Sequence, residues 1–349
     1  MPLVGLNMIV AHAAAAPRWN PFSTEVQDHI PTPKQGSTEF TVEFTEEDIK
    51  RPHQEKISAT NIGEEFWAVV HKPISVKEAM QIEAARDAIQ KEWDKLAQPN
   101  AKTGKPATWD ISGVKERWEV IEDAKNSGEE VHFGEIRILC HIKNSELSLE
   151  LQSYKRRIVF RGDIVKDETG HYAVFSEQGT SASHMTGTKF LDAVARFEGC
   201  QGEDADAESA YTQLTLEEAA RLLGVGVIPK TWIKLPEERW PKEWHEQGRK
   251  DPVCPLIGNL YGHPLAGLLW DKLSQENIIK CGWEKIPSWE SLYTHREKQL
   301  FLGVYVDDFH MAGKSKHMEQ AWTDLKQHIT FGKISPFSGT TYLGNTQQD

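Results

Sequence analysis

Residues 302–309, Leu-Gly-Val-Tyr-Val-Asp-Asp-Phe, place two adjacent carboxylates, Asp307 and Asp308, at the end of an apolar, β-branched run. A second short apolar run follows at residues 309–313. Two such runs around a polar dipeptide predict a β-hairpin whose turn carries both aspartates. Neighbouring carboxylates repel each other, and holding hard divalent cations is one function that offsets this cost. The alternative is a solvated Asp-Asp turn, since aspartate is common in turns.

The composition is that of a chain that can bury a substantial core. Its 349 residues are 39% hydrophobic and include 12 tryptophans, which suits a globular protein of more than one domain. No apolar run approaches the roughly 18 residues that a membrane span needs. The formal net charge of -12 argues against indiscriminate nucleic-acid binding, which lysine and arginine carry, but leaves room for a local basic channel.

The cysteines indicate neither a zinc site nor a disulfide framework. Cys140, Cys200, Cys254 and Cys281 are far apart, and no Cys-x-x-Cys or paired Cys/His spacing occurs. A reducing compartment fits this cysteine usage. Residues 3–16 are apolar and end in small residues, as signal peptides do, but no lysine or arginine precedes them, so secretion is not expected.

The first part of the chain is predicted to hold two segments. Residues 1–70 are rich in proline and polar residues and are predicted to be poorly ordered. Residues 71–130 are predicted as a helical lead-in. Its first helix opens at a capping box at residues 75–78 and continues to Leu96, with apolar residues at helical spacing.

The part of the chain from residue 131 to residue 344 alternates between strand and helix patterns. One predicted hairpin has its turn at residues 166–170 and its return strand at residues 171–175. Strands interleaved with helices, with antiparallel hairpins among them, indicate an α+β fold rather than a doubly wound sheet.

A basic strand is predicted at residues 155–162, Lys-Arg-Arg-Ile-Val-Phe-Arg-Gly. Because side chains alternate along a strand, Lys155, Arg157 and Arg161 are expected on one face. The other face then holds Arg156, Ile158 and Phe160. A one-sided cationic row on a hairpin can grip a triphosphate or a nucleic-acid backbone. The alternative is a solvated edge strand that charge protects from aggregation.

An acidic cluster follows at residues 203–211, where four carboxylates lie within six positions. Alanines flank Asp206, so that backbone and ions can approach it closely. Tyr211 lies five residues further on, past the expected end of a strand. The alternative is an acidic surface loop.

Residues 260–264, Leu-Tyr-Gly-His-Pro, precede a predicted helix. Gly262 permits close backbone approach, and Tyr261 and His263 are candidates for stacking on a ligand. The alternative is a turn that begins a helix, with its aromatic rings packed in the core.

In this order and spacing, the motifs resemble the reverse transcriptase domain of copia-type retrotransposon Pol polyproteins, over roughly residues 75–344. Five family motifs have counterparts here: Lys-x-Arg-Leu-Val-x-Arg-Gly at residues 155–162, Asp-Val-Lys-x-Ala-Phe at 206–211, Leu-Tyr-Gly at 260–262, Tyr-Val-Asp-Asp at 305–308 and Tyr/Phe-Leu-Gly at 342–344.

The resemblance implies a right-hand polymerase with fingers and palm over residues 131–344, the palm being an antiparallel sheet with packed helices. It implies an RNA-directed DNA polymerase, in which the 3′-hydroxyl of a DNA primer on an RNA template attacks the α-phosphate of a deoxynucleotide. The place of action would be intracellular, in a cytoplasmic particle or the nucleus.

The resemblance also implies which residues carry the chemistry. The catalytic and metal-binding residues would be Asp206, Asp307 and Asp308, with the Ala207 carbonyl as a further ligand. Together they would hold two Mg²⁺ ions, or Mn²⁺ in their place.

The nucleotide-binding residues would lie around these carboxylates. The basic side chains would neutralise the triphosphate, and an aromatic ring would lie under the sugar and exclude a 2′-hydroxyl. The set is Lys155, Arg157, Arg161, Tyr211 and Gly262.

Two departures from the family pattern keep a second hypothesis open. Leu265 stands where the family has a glutamine that helps to hold the nucleotide. A thumb, an RNase H domain and the other polyprotein domains are also not apparent in the sequence. The chain would then be a catalytically impaired or truncated relic that keeps only the fold or nucleic-acid binding. A third hypothesis is an unrelated metal-dependent α+β enzyme with a similar hairpin.

Overall fold

A computed structural model of the chain describes residues 7–8, 40–41, 71–100, 104–145, 147–175, 185–338, 341–342 and 345–346. The chain divides into two compact units, Met1–Ala68 and Val69–Asp349. In the first unit, strands β1 (Asn7–Met8) and β2 (Phe40–Thr41) pair antiparallel. The predicted poorly ordered segment otherwise falls outside the described residues. No helix in the described ranges is long and apolar enough to cross a membrane.

The second unit combines two larger sheets with helices. Its strands are β3 (His71–Ile74), β4 (Lys115–Glu116), β5 (Val131–Lys143), β6 (Ser153–Phe160), β7 (Lys166–Asp167), β8 (Cys200–Asp206), β9 (Lys230–Lys234), β10 (Pro252–Pro255), β11 (Glu284–Lys285), β12 (Leu292–His295), β13 (Leu300–Tyr305), β14 (Asp308–Lys314), β15 (Ser335–Pro336), β16 (Thr341–Tyr342) and β17 (Asn345–Thr346). Its helices are α1 (Val76–Ala79), α2 (Glu83–Ala97), α3 (Arg117–Ser127), α4 (Met185–Ala195), α5 (Leu216–Leu223), α6 (Lys242–Glu246), α7 (Ala266–Lys280) and α8 (Met318–Lys326).

One sheet carries the hairpin predicted from residues 302–309. Its strand order is β11-β12-β13-β14-β8-β15, and every neighbouring pair is antiparallel. Strands β13 and β14 form the predicted hairpin, which is therefore confirmed. Strand β8 lies beside β14 although about a hundred residues separate them, and this places the acidic cluster next to the hairpin.

The hairpin is held by apolar contacts on both of its faces. Phe301 meets Phe190 of α4 at 5.1 Å between ring centroids. On the opposite face the fully buried Phe309 meets Phe331 at 4.8 Å, and Trp322 of α8 packs on Phe331 at 5.4 Å. Burying a large apolar side chain stabilises a fold by roughly 1.5–3 kcal/mol, so the two layers fix the register of this sheet.

The other sheet is organised around the long strand β5. Its order is β3-β5-β9-β10-β4, with β6 and β7 also pairing with β5. The β5–β9 pair is parallel and the other pairs are antiparallel. Helix α2 contributes Ile89 and Trp93 to the core that also holds Ile158 and Phe160 of β6. The fold is thus a mixture of sheets and packed helices, as the α+β prediction states in its coarse form.

The first helix was predicted to be continuous, and this is wrong because the structure has two separate helices there. Ser75 does cap a helix, because its hydroxyl accepts a hydrogen bond from the Glu78 amide at 3.1 Å. However, α1 ends at Ala79, and α2 begins only after Ile82. Ile82 has an extended backbone (φ -101°, ψ 116°), which lets its side chain pack against the core and interrupts the helix.

The predicted return strand at residues 171–175 is also wrong. Only a single bridge, Lys166↔Tyr172, forms there. The Asp167 carboxylate accepts hydrogen bonds from the amides of Thr169 and His171, at 2.9 and 3.0 Å, and closes the turn. Val174 beyond it is 93% exposed, so no apolar surface holds a longer strand in place.

His263 is buried between aromatic rings rather than offered to a ligand. Its ring lies 5.0 Å from Phe160 and 6.0 Å from Phe175, and Nδ1 accepts a hydrogen bond from the Leu265 amide at 3.3 Å. Burial, with a smaller contribution from His132, lowers the pKa of His263 to about 4. The ring therefore stays neutral in the folded chain.

This burial makes stability depend on pH in a defined direction. The unfolded chain takes up a proton at His263 near pH 6.5, but the folded chain does so only near pH 4. Stability due to this residue is complete above pH 6.5 and falls as the pH drops towards 4. In urea titrations between about pH 7.5 and about pH 5, we expect the wild type to lose about 2 kcal/mol more stability than His263→Asn, a difference that leaves out groups titrating in both proteins. The exposed His328→Asn is the matched control and should retain the loss.

Candidate active site

Three carboxylates come together at one end of the β8–β14 ladder. Asp206 ends β8, Asp308 begins β14, and the two residues are direct partners in the register. Asp307 precedes Asp308 in the turn. One carboxylate oxygen from each of the three lies within 4.8 Å of the others. Asp206 is exposed and the other two are half-buried, so the group is open to solvent on one side.

The turn that carries Asp307 is shorter than predicted. It consists of Val306 and Asp307 only, because Asp308 already pairs with Tyr305. Val306 has a φ of 59°, which is unfavourable for a β-branched residue. Two contacts hold this geometry: the Trp270 indole N–H donates to the Val306 carbonyl at 2.6 Å, and the Ala207 amide donates to the Asp307 carbonyl at 2.7 Å.

Desolvation and charge repulsion raise the pKa values of two of the three carboxylates, Asp206 and Asp308. Burial, followed by repulsion from Asp307, Asp206 and Asp204, raises the pKa of Asp308 to about 6. Partial desolvation of its carboxylate and then the Asp307 charge also raise the pKa of Asp206, whereas the Lys155 ammonium acts to lower it. Hard oxygen donors this close together, open to solvent on one side, are what Mg²⁺ and Mn²⁺ prefer, so the residues present fit a divalent metal centre.

The predicted nucleotide-binding residues Lys155, Arg157 and Tyr211 lie near these carboxylates, since Lys155 acts on the charge of Asp206, and Arg157 and Asp307 act on Tyr211. The surface that these side chains form with the carboxylates is called the cleft below. The Arg157 guanidinium lies 5.5 Å from the centre of the Tyr261 ring, which is 4.6 Å from the Tyr211 ring. Burial and the Asp307 charge raise the pKa of both tyrosines, that of Tyr261 to about 12. The structure therefore brings two cations, two tyrosines and the carboxylates to one cleft.

Arg161 does not continue the cationic row. Strand β6 ends at Phe160, and Arg161 begins a 3₁₀ turn at Gly162–Ile164. Its guanidinium pairs with Asp163 at 2.9 Å and with Glu135 at 3.4 Å. The prediction of a common face therefore holds for Lys155 and Arg157 and is wrong for Arg161. The carboxylates of Asp163 and Glu135 already balance the charge of Arg161.

Sequence reasoning missed three further basic residues on the same face. Strand β5 pairs with β6 so that Leu139 faces Arg157 and His141 faces Lys155, and cross-strand partners share a face. That face of β5 also carries Arg137 and Lys143. Within the described ranges, no ion pair involves Arg137, His141, Lys143, Lys155 or Arg157. The signal was present in residues 136–143, Ile-Arg-Ile-Leu-Cys-His-Ile-Lys, where, apart from Leu139, apolar and basic residues alternate.

Gly262 makes a close backbone approach to the chain itself. Its φ is +85°, and a Cβ atom there would lie 2.1 Å from the Phe160 carbonyl oxygen. Next to it, the Phe160 amide donates to the Tyr261 carbonyl at 2.7 Å. This contact ties strand β6 to the segment before α7.

In the closing Tyr-Leu-Gly motif, Tyr342 lies in β16, and residues 343–344 lie outside the described ranges.

A Cβ atom at residue 262 should therefore separate the basic strand from the cleft. We expect Gly262→Ala to lower the free energy of unfolding by roughly 2–4 kcal/mol, from the left-handed backbone and the clash together. Gly224→Ala is the matched control, because Gly224 has a φ of +68° but no atom within 4 Å of the added Cβ. It should cost only about 1 kcal/mol in urea titrations, and equal losses in both variants would contradict the packing role.

The repulsion among the carboxylates predicts that removing one of them stabilises the fold. In a metal chelator at neutral pH, Asp308→Asn should raise the free energy of unfolding by about 1 kcal/mol, a value reduced for the screening of a half-buried group. The exposed Asp87→Asn should leave it unchanged. A loss of stability in Asp308→Asn, measured by urea titration, would show that Asp308 is instead held by favourable contacts.

Comparisons with known proteins do not assign the chain to a family. No family model matches it, and no curated protein matches it. A solved structure of telomerase from Candida albicans, in complex with the TWJ fragment of telomeric RNA, is similar at 10% identity and a TM-score of 0.36, over 73% of this chain and 46% of that one. A structure of apo telomerase from Candida tropicalis, truncated from the C-terminal domain, is similar at 10% identity and a TM-score of 0.34, over 63% and 54%. This chain spans about half the length of each, and at such scores neither likeness decides its fold or activity.

Proposed function

We propose that this chain is the RNA-directed DNA polymerase domain of a copia-like retrotransposon, with the six-stranded sheet as the palm and the β5–β6 hairpin as part of the fingers. One observation carries the proposal. Three carboxylate oxygens, from Asp206, Asp307 and Asp308, lie within 4.8 Å of one another. They face a cleft with basic and aromatic walls. The substrates would be deoxynucleotides and a DNA primer on an RNA template.

The carboxylates account for the metal requirement of such a reaction. Asp206 and Asp307 would hold two Mg²⁺ or Mn²⁺ ions, with Asp308 beside them and the Ala207 carbonyl as a further ligand. When bound, these ions stabilise charge on the attacking and leaving oxygens of a phosphoryl transfer. Desolvation and mutual repulsion raise the pKa values of Asp206 and Asp308. A divalent cation bound nearby would offset this repulsion and stabilise both carboxylates in their ionised form.

The walls of the cleft would bind the nucleotide. Lys155 and Arg157 are exposed cations that form no ion pair in the described ranges, so they are available to the phosphates of a triphosphate. The Tyr211 ring packs on Tyr261, and this contact would hold it as a platform under the sugar. A fixed ring at that position would exclude a 2′-hydroxyl and select deoxynucleotides.

Leu265 supports the second candidate, a catalytically impaired relic that keeps the fold or nucleic-acid binding. It stands immediately before α7, is partly buried and packs against the core. An apolar, packed side chain cannot supply the hydrogen bonds that the glutamine of related proteins would give to a nucleotide. This second candidate predicts nucleic-acid binding without nucleotide incorporation.

Primer extension separates the two candidates. On poly(rA) with an oligo(dT) primer and Mg²⁺, the polymerase proposal predicts incorporation of dTTP that falls at least about 100-fold in Asp307→Asn, because a metal-binding carboxylate is lost. Asp123→Asn is the control, since Asp123 is 61% exposed on α3 and pairs only with Lys115 among the described residues. Equal incorporation in wild type and Asp307→Asn would refute the metal assignment. Binding of the primer–template without incorporation by the wild type would favour the relic.

A further inference from the structure

Next to the carboxylates lies a buried histidine that contacts two other aspartates. His310 of β14 has a side chain that is 1% exposed. Its Nδ1 bonds to the carboxylate of Asp204 in β8, and its Nε2 lies 3.1 Å from the carboxylate of Asp192 in α4. The ring is stacked on Phe337 at 3.8 Å, with an interplanar angle of 6°. Contacts on both edges and one face leave the ring a single orientation.

Both nitrogens of the His310 ring contact carboxylates, Nδ1 that of Asp204 and Nε2 that of Asp192. Through these two contacts the ring joins β8 to α4. Because both nitrogens are engaged, His310 cannot serve as a metal ligand.

The His310 contacts lie one step along the sheet from the metal-binding carboxylates. In the register, His310 is opposite Asp204 and Asp308 is opposite Asp206. Since side chains alternate along a strand, these two pairs lie on the same face, roughly 6–7 Å apart.

We propose that His310 is a positioning residue of the metal site: by joining Asp204 of β8 to Asp192 of α4, it fixes the separation of Asp206 and Asp308 and thereby sets the affinity for divalent cations. This inference rests on the proposed function. Strands β8 and β14 meet the carboxylates at one end of their ladder, so the spacing there depends on the interactions that cross it. The backbone contact between Ala207 and Asp307 is one of them, and the His310–Asp204 pair is the side-chain contact beside it, which Asp192 links to α4.

The experiment measures Mn²⁺ binding to the free full-length chain by electron paramagnetic resonance, which needs no activity. His310→Gln removes the imidazole ring and with it at least one of the two carboxylate contacts. Outer residues that orient metal ligands typically contribute 10–100-fold to metal affinity, so we expect the dissociation constant for Mn²⁺ to rise at least about 10-fold. His295→Gln is the matched control. His295 is a buried histidine of the same sheet, in β12, whose Nδ1 has no hydrogen-bond partner among the described residues.

The outcomes distinguish this inference from the proposed function. If the wild type binds Mn²⁺ no better than Asp307→Asn does, the metal site itself is refuted. If the wild type binds and folded His310→Gln binds equally well, only the positioning role is overturned. If His295→Gln weakens binding as much as His310→Gln, the effect is one of general stability and the positioning role is likewise overturned.

A second variant decides the matter should His310→Gln fail to fold. Asp192 lies on a helix surface and its side chain is 33% exposed, so Asp192→Asn should fold. It keeps the contact between His310 and Asp204 and removes the Asp192 charge that His310 contacts on α4. We expect the dissociation constant for Mn²⁺ to rise about 3-fold or more. An unchanged constant in this folded variant would overturn the proposed role.

Discussion

The mutual repulsion of Asp206, Asp307 and Asp308 is the interaction around which the site is built. The β8–β14 register places Asp206 directly opposite Asp308, and a two-residue turn leaves Asp307 no room to move away. Like charges at this spacing destabilise a fold. The apolar layers on both faces of the hairpin maintain this spacing of the carboxylates, because Phe301 and Phe309 cannot leave the core without breaking the strand register.

The basic wall of the cleft depends on a backbone contact rather than on charge. Phe160 and Tyr261 share a hydrogen bond of 2.7 Å, and Gly262 allows the two segments to approach within that distance. This contact brings the exposed face of β6 to the carboxylates, where Lys155 acts on Asp206. A chain with a net charge of -12 thus concentrates on one sheet face cations that form no ion pair within the described part of the chain, where a phosphate could meet them.

Sequence reasoning succeeded where the signal is local and failed where a distant contact decides. The apolar runs around Asp307 predicted the hairpin, and strand alternation predicted the shared face of Lys155 and Arg157. The predicted face of Arg161 was wrong because β6 ends at Phe160, where Gly162 and Gly262 make close tertiary contacts. The pairing of β8 with β14, and the partners of His310, join residues more than a hundred positions apart, which no local pattern specifies.

Backbone strain and charge repulsion occur together at this end of the β8–β14 ladder, and this argues against a solvated Asp-Asp turn. A solvated turn would place glycine or asparagine at its positive φ and let water separate its carboxylates. Here Val306 takes the positive φ, held by the Trp270 indole, and Asp308 is half-buried with its pKa raised to about 6. Beside them, the buried His310 contacts two further aspartates. Strain and unrelieved charge persist together where the surrounding structure enforces them, and the divalent cation site that we propose would relieve the charge.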